Sequence, residues 1–150
     1  GGIAGRVCWG LISDFVAGGR RKPVFLAIGI IAIIQLLFLG HLNRDDLEPA
    51  YLFLIILLVG FTAIGFHGIL YGLIVEAVRK EVVGLGTGFT LTITFLGVIL
   101  FPPLFGHIVD RVGSYTRAWD MLALSWGVAL LILIFFVREK DLTKNFLDDR

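Results

Sequence analysis

The sequence predicts an all-α polytopic membrane protein, and three observations carry that prediction. Of 150 residues, 57% are hydrophobic and only 17% charged, against about half and about a quarter in soluble domains. The charges are confined to short segments, and the basic ones gather on alternate connections. A helix rising ~1.5 Å per residue needs ~20 apolar residues, and at least ~17, to cross ~30 Å of hydrocarbon. The uncharged runs Pro23–Asn43, Pro49–Val75, Val82–Val109 and Met121–Val137 hold 21, 27, 28 and 17 residues, so each can span. A soluble fold fails on the same lengths, because four long helices apolar all round leave a small chain no wettable surface. Barrel strands of about ten residues would alternate apolar with polar, and no stretch here does so.

The elements follow in order. Residues 1–13 read as the end of a span. The chain opens Gly1-Gly2-Ile3 with no Met, basic leader or cleavage site, so a fragment is expected rather than a secretory signal. Arg6 lies eight residues before Asp14, ~12 Å along a helix. A charge at that depth costs ~2.5 kcal/mol or more unless it faces a partner or water. Either Arg6 faces a cavity, which favours an anionic solute, or it snorkels to the interface.

The second span is expected at about residues 23–41 and the third at 51–75, opening on the interfacial ring of Tyr51. His67 and Tyr71 are four apart in the third span and share a helix face. Imidazole changes charge in the physiological range, which makes His67 a candidate for proton coupling; a neutral, hydrogen-bonded histidine is the alternative. The fourth span, at 83–107, carries Thr87, Thr90 and Thr94 along one side. Their hydroxyls either line a solute path or bond back to their own helix, and Pro102-Pro103 should kink its outer half. The fifth, at 118–137, opens on Trp119 at the interface, with Trp126 deeper as a packing residue, and residues 138–150 form a tail. The pairs Gly68/Gly72 and Gly84/Gly88 suit close internal helix contact.

Orientation follows from the Lys and Arg positions. With the segment Asp14–Lys22 cytoplasmic, nine basic residues fall inside (Arg20, Arg21, Lys22, Arg79, Lys80, Arg138, Lys140, Lys144, Arg150) and three outside (Arg44, Arg111, Arg117). The positive-inside bias therefore places the 138–150 tail in the cytoplasm, most simply at a plasma (inner) membrane.

The connections carry the most specific signal. Gly10-Leu-Ile-Ser-Asp14 ends a span and is followed by Gly18-Gly19-Arg20-Arg21-Lys22, so the acid can bridge the loop to the basic turn and fix the angle between the helices, the alternative being a solvated cytoplasmic turn; Gly106-His-Ile-Val-Asp110 repeats the Gly and Asp spacing 96 residues later. Three spans separate the copies, so they face opposite sides, as in inverted repeats of secondary transporters. The first copy resembles the signature of the major facilitator superfamily, G-x-x-x-D-R-x-G-R-R, which recurs between helices 8 and 9. Gly10, Asp14, Gly19, Arg20 and Arg21 match it, Phe15 replaces its usual basic residue, and two extra residues within Val16-Ala17-Gly18 lengthen the turn. This longer form looks like loops of organophosphate and organic-anion antiporters. Glu76 through Glu81, Gly84, Gly88, Pro102, Gly106, Asp110 and Gly113-Ser-Tyr115 resemble the family's helix 10 to 12 region.

The resemblance implies a major-facilitator-type bundle, its C-terminal half, from the end of helix 8 through helix 12. The N-terminal six-helix bundle would be its missing partner, beside the lipid bilayer and a small-molecule substrate, and transport would proceed by alternating access. It also implies that Asp14 acts as a conformational switch near the start of the fourth span, Val83–Thr87, whose free amides favour a carboxylate.

Other classes are less well served. An intramembrane enzyme needs convergent catalytic groups, and the spans hold no metal-ligand spacing, Ser/His/Asp set or phosphate loop, so neither a cofactor nor a metal is expected. A net charge of +1 gives no footprint for nucleic acid, and Cys8 alone cannot form an internal disulfide. The alternative class is a channel-type or structural membrane subunit, although no filter-like segment is present.

Overall fold

A computed structural model describes residues 1–18, 20–42 and 48–137. Gly19, the 43–47 connection with Arg44, and the 138–150 tail lie outside the described residues. Helix α1 (Gly2–Leu11) runs into a single π-helical turn, Ile12–Val16. Then come α2 (Arg21–His41), α3 (Pro49–Ala63), α4 (His67–Ala77), a 3₁₀ turn at Lys80–Val82, α5 (Val83–Val112) and α6 (Tyr115–Phe136). Four helical stretches, Arg21–His41, Pro49–Val75, Lys80–Val112 and Tyr115–Phe135, are long and apolar enough to cross a membrane.

Helices α2 and α6 are antiparallel and form the most extensive helix–helix contact among the described residues. Gly29 is buried where a Cβ would overlap the side chain of Leu130, and Gly40 lies where a Cβ would stand 3.0 Å from that of Trp119. Small residues let the two backbones approach closely, the main route to helix association where lipid is as apolar as leucine. The pair is pinned at both ends. Lys22 Nζ donates to the carbonyls of Ile134 (3.1 Å) and Val137 (2.7 Å) at the end of α6. Thr116 Oγ1 donates to the Gly40 carbonyl (2.7 Å) at the end of α2. Each helix thus caps orphan C-terminal carbonyls of the other from its own second residue.

Helix α1 runs parallel to α3 and α4. A Cβ at Gly5 or Gly65 would overlap the Phe61 carbonyl oxygen, and one at Gly68 would meet the Arg6 carbonyl at 2.9 Å. Trp9, Val24, Ile28 and Ile69 form the buried core where α1, α2 and α4 converge, with Phe25, Phe61 and Phe66 packed against them. Of the expected small-residue pairs, Gly68 takes the α1 backbone and Gly72 takes the Arg21 guanidinium, whereas Gly84 and Gly88 face open space.

The helical assignment of α5 is continuous through Pro102 and Pro103. The bundle's interruption falls in the third span, at Ile64–Phe66 between α3 and α4. There the ladder shifts to shorter steps: His67 N–H donates to Ile64 (3.4 Å), Gly68 to Gly65 (3.3 Å) and Ile69 to Phe66 (3.1 Å), before Leu70 resumes the α pattern to Phe66 (3.0 Å). Among the described residues, no backbone carbonyl accepts from the amides of Gly65 and Phe66. Helix α5 has no buried residue among those described. It stops at Gly113, whose φ of 68° is a left-handed cap and whose amide donates to the Val109 carbonyl at 2.8 Å.

Candidate functional site

Two loci hold the residues singled out by the sequence. The first is the turn between α1 and α2. Asp14 sits in the π-helical turn closed by Ala17 N–H donating to the Ile12 carbonyl at 3.0 Å, a ring one residue larger than an α turn, which takes up part of the lengthened loop. Gly18 adopts φ 60°, a left-handed conformation that glycine enters at no steric cost, and Arg20 N–H then donates to the Ala17 carbonyl (3.1 Å). This reversal returns the chain so that Arg21 Nη1 meets Asp14 Oδ1 at 2.7 Å. The Arg21 side chain is 14% exposed and that of Asp14 54%, so the guanidinium is the sheltered partner. A Cβ on Gly72 would lie 3.6 Å from its Cζ, which places Arg21 against α4.

The carboxylate of Asp14 thus bridges the loop to the basic turn that enters α2, and the π turn packs on α1 and α2. The physical reason is local: the extra residues and Gly18 fold the basic cluster back onto the acid that precedes it. Gly10 has open space around its Cα, and Arg20 is exposed.

The second locus surrounds the interruption of the third span. Phe66 and His67 sit at its edge with ring centroids 4.2 Å apart, and the His67 and Tyr71 rings lie 6.3 Å apart on the shared face. His67 Nδ1 is 3.0 Å from the Ile64 carbonyl, which the altered ladder leaves accessible. Arg6 is exposed, has no ion pair among the described residues, and lies beside Gly68 through its backbone. A cation, an imidazole and the unpaired amides at the start of α4 are therefore gathered at one level. The guanidinium and the amides favour negative charge.

Next to them, Phe25, Phe66, Phe101, Ser125, Trp126 and Leu133 help line a mainly apolar cavity of about 360 Å³. Trp126 packs edge-on to Phe66 with centroids 5.5 Å apart. The sequence singled out Trp126 for packing and passed over Phe66, because apolar rings that line a cavity and rings that face lipid look alike in a chain with 13 phenylalanines.

The threonines of α5 stand apart from both loci. Thr90 Oγ1 donates to Gly86 (2.9 Å) and Thr94 Oγ1 to Thr90 (2.9 Å), as does Thr92 to Gly88 (2.9 Å), so these hydroxyls are spent on their own helix. Thr87 is half-buried and has no hydrogen bond of this kind among those described. No group of three His, Cys, Asp or Glu side chains converges among the described residues.

Comparison with known proteins agrees with this architecture. A protein of Bacillus subtilis (strain 168) named as a probable galactarate/D-glucarate transporter is 26% identical over 136 residues, covering 91% of this chain and 30% of its own length. The chain thus spans about 30% of that relative. No solved structure matches it significantly. The family model of the Major Facilitator Superfamily matches residues 1–149, nearly the whole chain. The chain is a multi-pass integral membrane protein and belongs to the Major Facilitator Superfamily.

Proposed function

We propose that this chain forms part of a secondary active transporter that carries a small organic anion, of the sugar-diacid class, by alternating access. The observation that carries the reading is the second locus. An exposed Arg6, without an ion pair among the described residues, lies level with His67 and with the amides of Gly65 and Phe66 at the interrupted third span. Interrupted helices that aim N-terminal amides at a solute are a recurrent solution for anions within membranes, because the amides supply partial positive charge without the cost of burying another cation. The name of the Bacillus subtilis relative, with its two dicarboxylic sugar acids, supports the same solute class. Arg6 is assigned to one carboxylate, where a planar guanidinium binds two oxygens at once. His67 is assigned to the proton path, its ring 6.3 Å from that of Tyr71 on the shared face.

The Asp14–Arg21 pair is the conformational switch in this reading. It joins the end of α1 to the α4 face at Gly72, so it can favour one access state over the other without locking either. The end of the bundle bearing Lys22 and Val137 is the cytoplasmic one, by the positive-inside bias, and a six-helix N-terminal bundle supplies the other wall of the path.

The test is uptake of labelled galactarate and glucarate into vesicles holding the intact protein, with and without an imposed proton gradient. Saturable uptake driven by the gradient is expected. Arg6→Lys should reduce uptake about 10-fold or more, the loss that one charge-assisted contact carries. Full uptake by Arg6→Lys at unchanged affinity would show that Arg6 only reaches for the interface.

A further inference from the structure

The third span has two competing donors for one acceptor. In a continuous helix the Phe61 carbonyl would accept from the Gly65 amide four residues on. Here it accepts from Trp9 Nε1 at 3.2 Å. The oxygen leans out of the ladder toward α1, into the space that a Cβ on Gly5 or on Gly65 would occupy. Glycine at both positions is what permits the lean, and neither has positive φ, so close approach rather than backbone conformation demands it. Trp9 is 8% exposed and its ring lies tilted against Phe61, centroids 5.7 Å apart, so the indole is held in place by packing on a second element.

We propose that Trp9 is the positioning residue that keeps the third span interrupted: its indole N–H occupies the Phe61 carbonyl, and when that bond is released the Gly65 amide recaptures the oxygen and the span straightens. Side chains inserted into a helical ladder are a recognised cause of sharp helix breaks. At membrane depth a carbonyl left without any donor is costly, so the oxygen moves between the two donors rather than standing free. The exchange also reaches the first locus. Trp9 and Asp14 are five residues apart on one uninterrupted helical segment, so a movement of α1 that parts Asp14 from Arg21 displaces the indole as well. The inference rests on the proposed function only for its consequence in transport.

The intact protein, in a Cys8→Ser background, would carry spin labels at Phe53→Cys and Val75→Cys, both exposed positions that flank the interruption. A straight α-helix would separate their backbones by ~33 Å, and the distance distribution reports the interrupted and straight populations. Trp9→Phe should raise the straight-to-interrupted ratio by about two- to tenfold, the range of one net hydrogen bond. Benzothienylalanine at position 9, which keeps the ring shape but lacks the N–H, should do the same and covers the case in which Trp9→Phe does not fold. Gly65→Ala, whose methyl cannot coexist with the leaning carbonyl, should shift the ratio in the same direction with Trp9 present. Distances unchanged by the benzothienyl side chain would overturn the proposal. The distances need no solute: a shift without any uptake of sugar diacids would leave this inference standing and sink the transport assignment, and uptake with unshifted distances would do the reverse.

Discussion

Replacing Lys22 by Met tests whether α2 and α6 behave as one body pinned at both ends. The substitution keeps the length of the side chain and removes its cation, together with donors at 3.1 Å and 2.7 Å from the carbonyls of Ile134 and Val137. A cation at a helix C-terminus contributes ~0.3–1 kcal/mol when exposed and up to ~2 kcal/mol when partly buried. Interhelical hydrogen bonds in membranes average ~0.6 kcal/mol, with a ceiling near ~1.7 kcal/mol. The two descriptions overlap, so Lys22→Met should cost ~1–2 kcal/mol in total. Thr116→Val removes a neutral donor from the Gly40 carbonyl and should cost ~0.5–1 kcal/mol. The two caps are separated by ~27 Å of helix, eighteen residues from Lys22 to Gly40, far beyond the ~7–10 Å within which substitutions couple. The double variant should therefore lose the sum of the single losses to within ~0.5 kcal/mol. The assay is reversible unfolding in bicelles titrated with SDS, with Lys22→Arg as the variant that keeps a cation. A loss for Lys22→Met smaller than that for Thr116→Val, or a double variant no worse than either single one, would refute the reasoning.

Other outcomes follow from the same packing. Gly29→Val drives a branched side chain into Leu130 and should cost ~1–3 kcal/mol in that unfolding assay. Asp14→Asn removes the ion pair to Arg21, but the carboxylate is 54% exposed, so stability should fall by less than ~1 kcal/mol; if Asp14 is the switch, the ratio of inward- to outward-facing protein, read by cysteine accessibility on each side, should nonetheless change. Thr94→Val ends a bond to the helix's own Thr90 carbonyl and should alter stability by no more than ~0.5 kcal/mol, with the KM for uptake unchanged.

The fold class was legible because lipid solvation leaves a coarse trace: charge is excluded over lengths set by the bilayer, and the runs after Pro23, Pro49 and Val82 have those lengths. Family membership was legible in the turn, since Gly10, Asp14 and the arginines must occupy fixed offsets to reverse the chain. The bridge from Asp14 to the basic turn was legible too, since an acid ends one span and Arg20-Arg21-Lys22 enter the next; which of the three closes it was not, because that depends on the reversal at Gly18. The interruption of the third span was hidden for a different reason. Ala63-Ile-Gly-Phe66 is as apolar as its surroundings, and Pro102-Pro103 looks by far the stronger breaker. A double proline removes donors without supplying a competing one, whereas the break at Gly65 depends on the indole of Trp9, 52 residues away and meeting a backbone atom, which no sequence pattern marks. The threonines of α5 were more legible: bonding back to their own helix was one of the two readings their spacing offered, and Thr90 and Thr94 take it.

The reciprocal caps of α2 and α6 also set a schedule for assembly. Gly40 and Thr116 are 76 residues apart in sequence, and Lys22 and Ile134 are 112 apart. At ~5–20 residues per second of synthesis, α2 is threaded into the bilayer ~4–22 s before the residues that complete both of its ends have been made. During that interval its Gly29 notch is unfilled and its last carbonyls lack the Thr116 hydroxyl. Helices α3, α4 and α5 are made meanwhile, so α6 docks on α2 only after they have been synthesised. Changes in the Ser114–Leu130 segment should therefore impair yield of assembled protein more than stability of the finished fold.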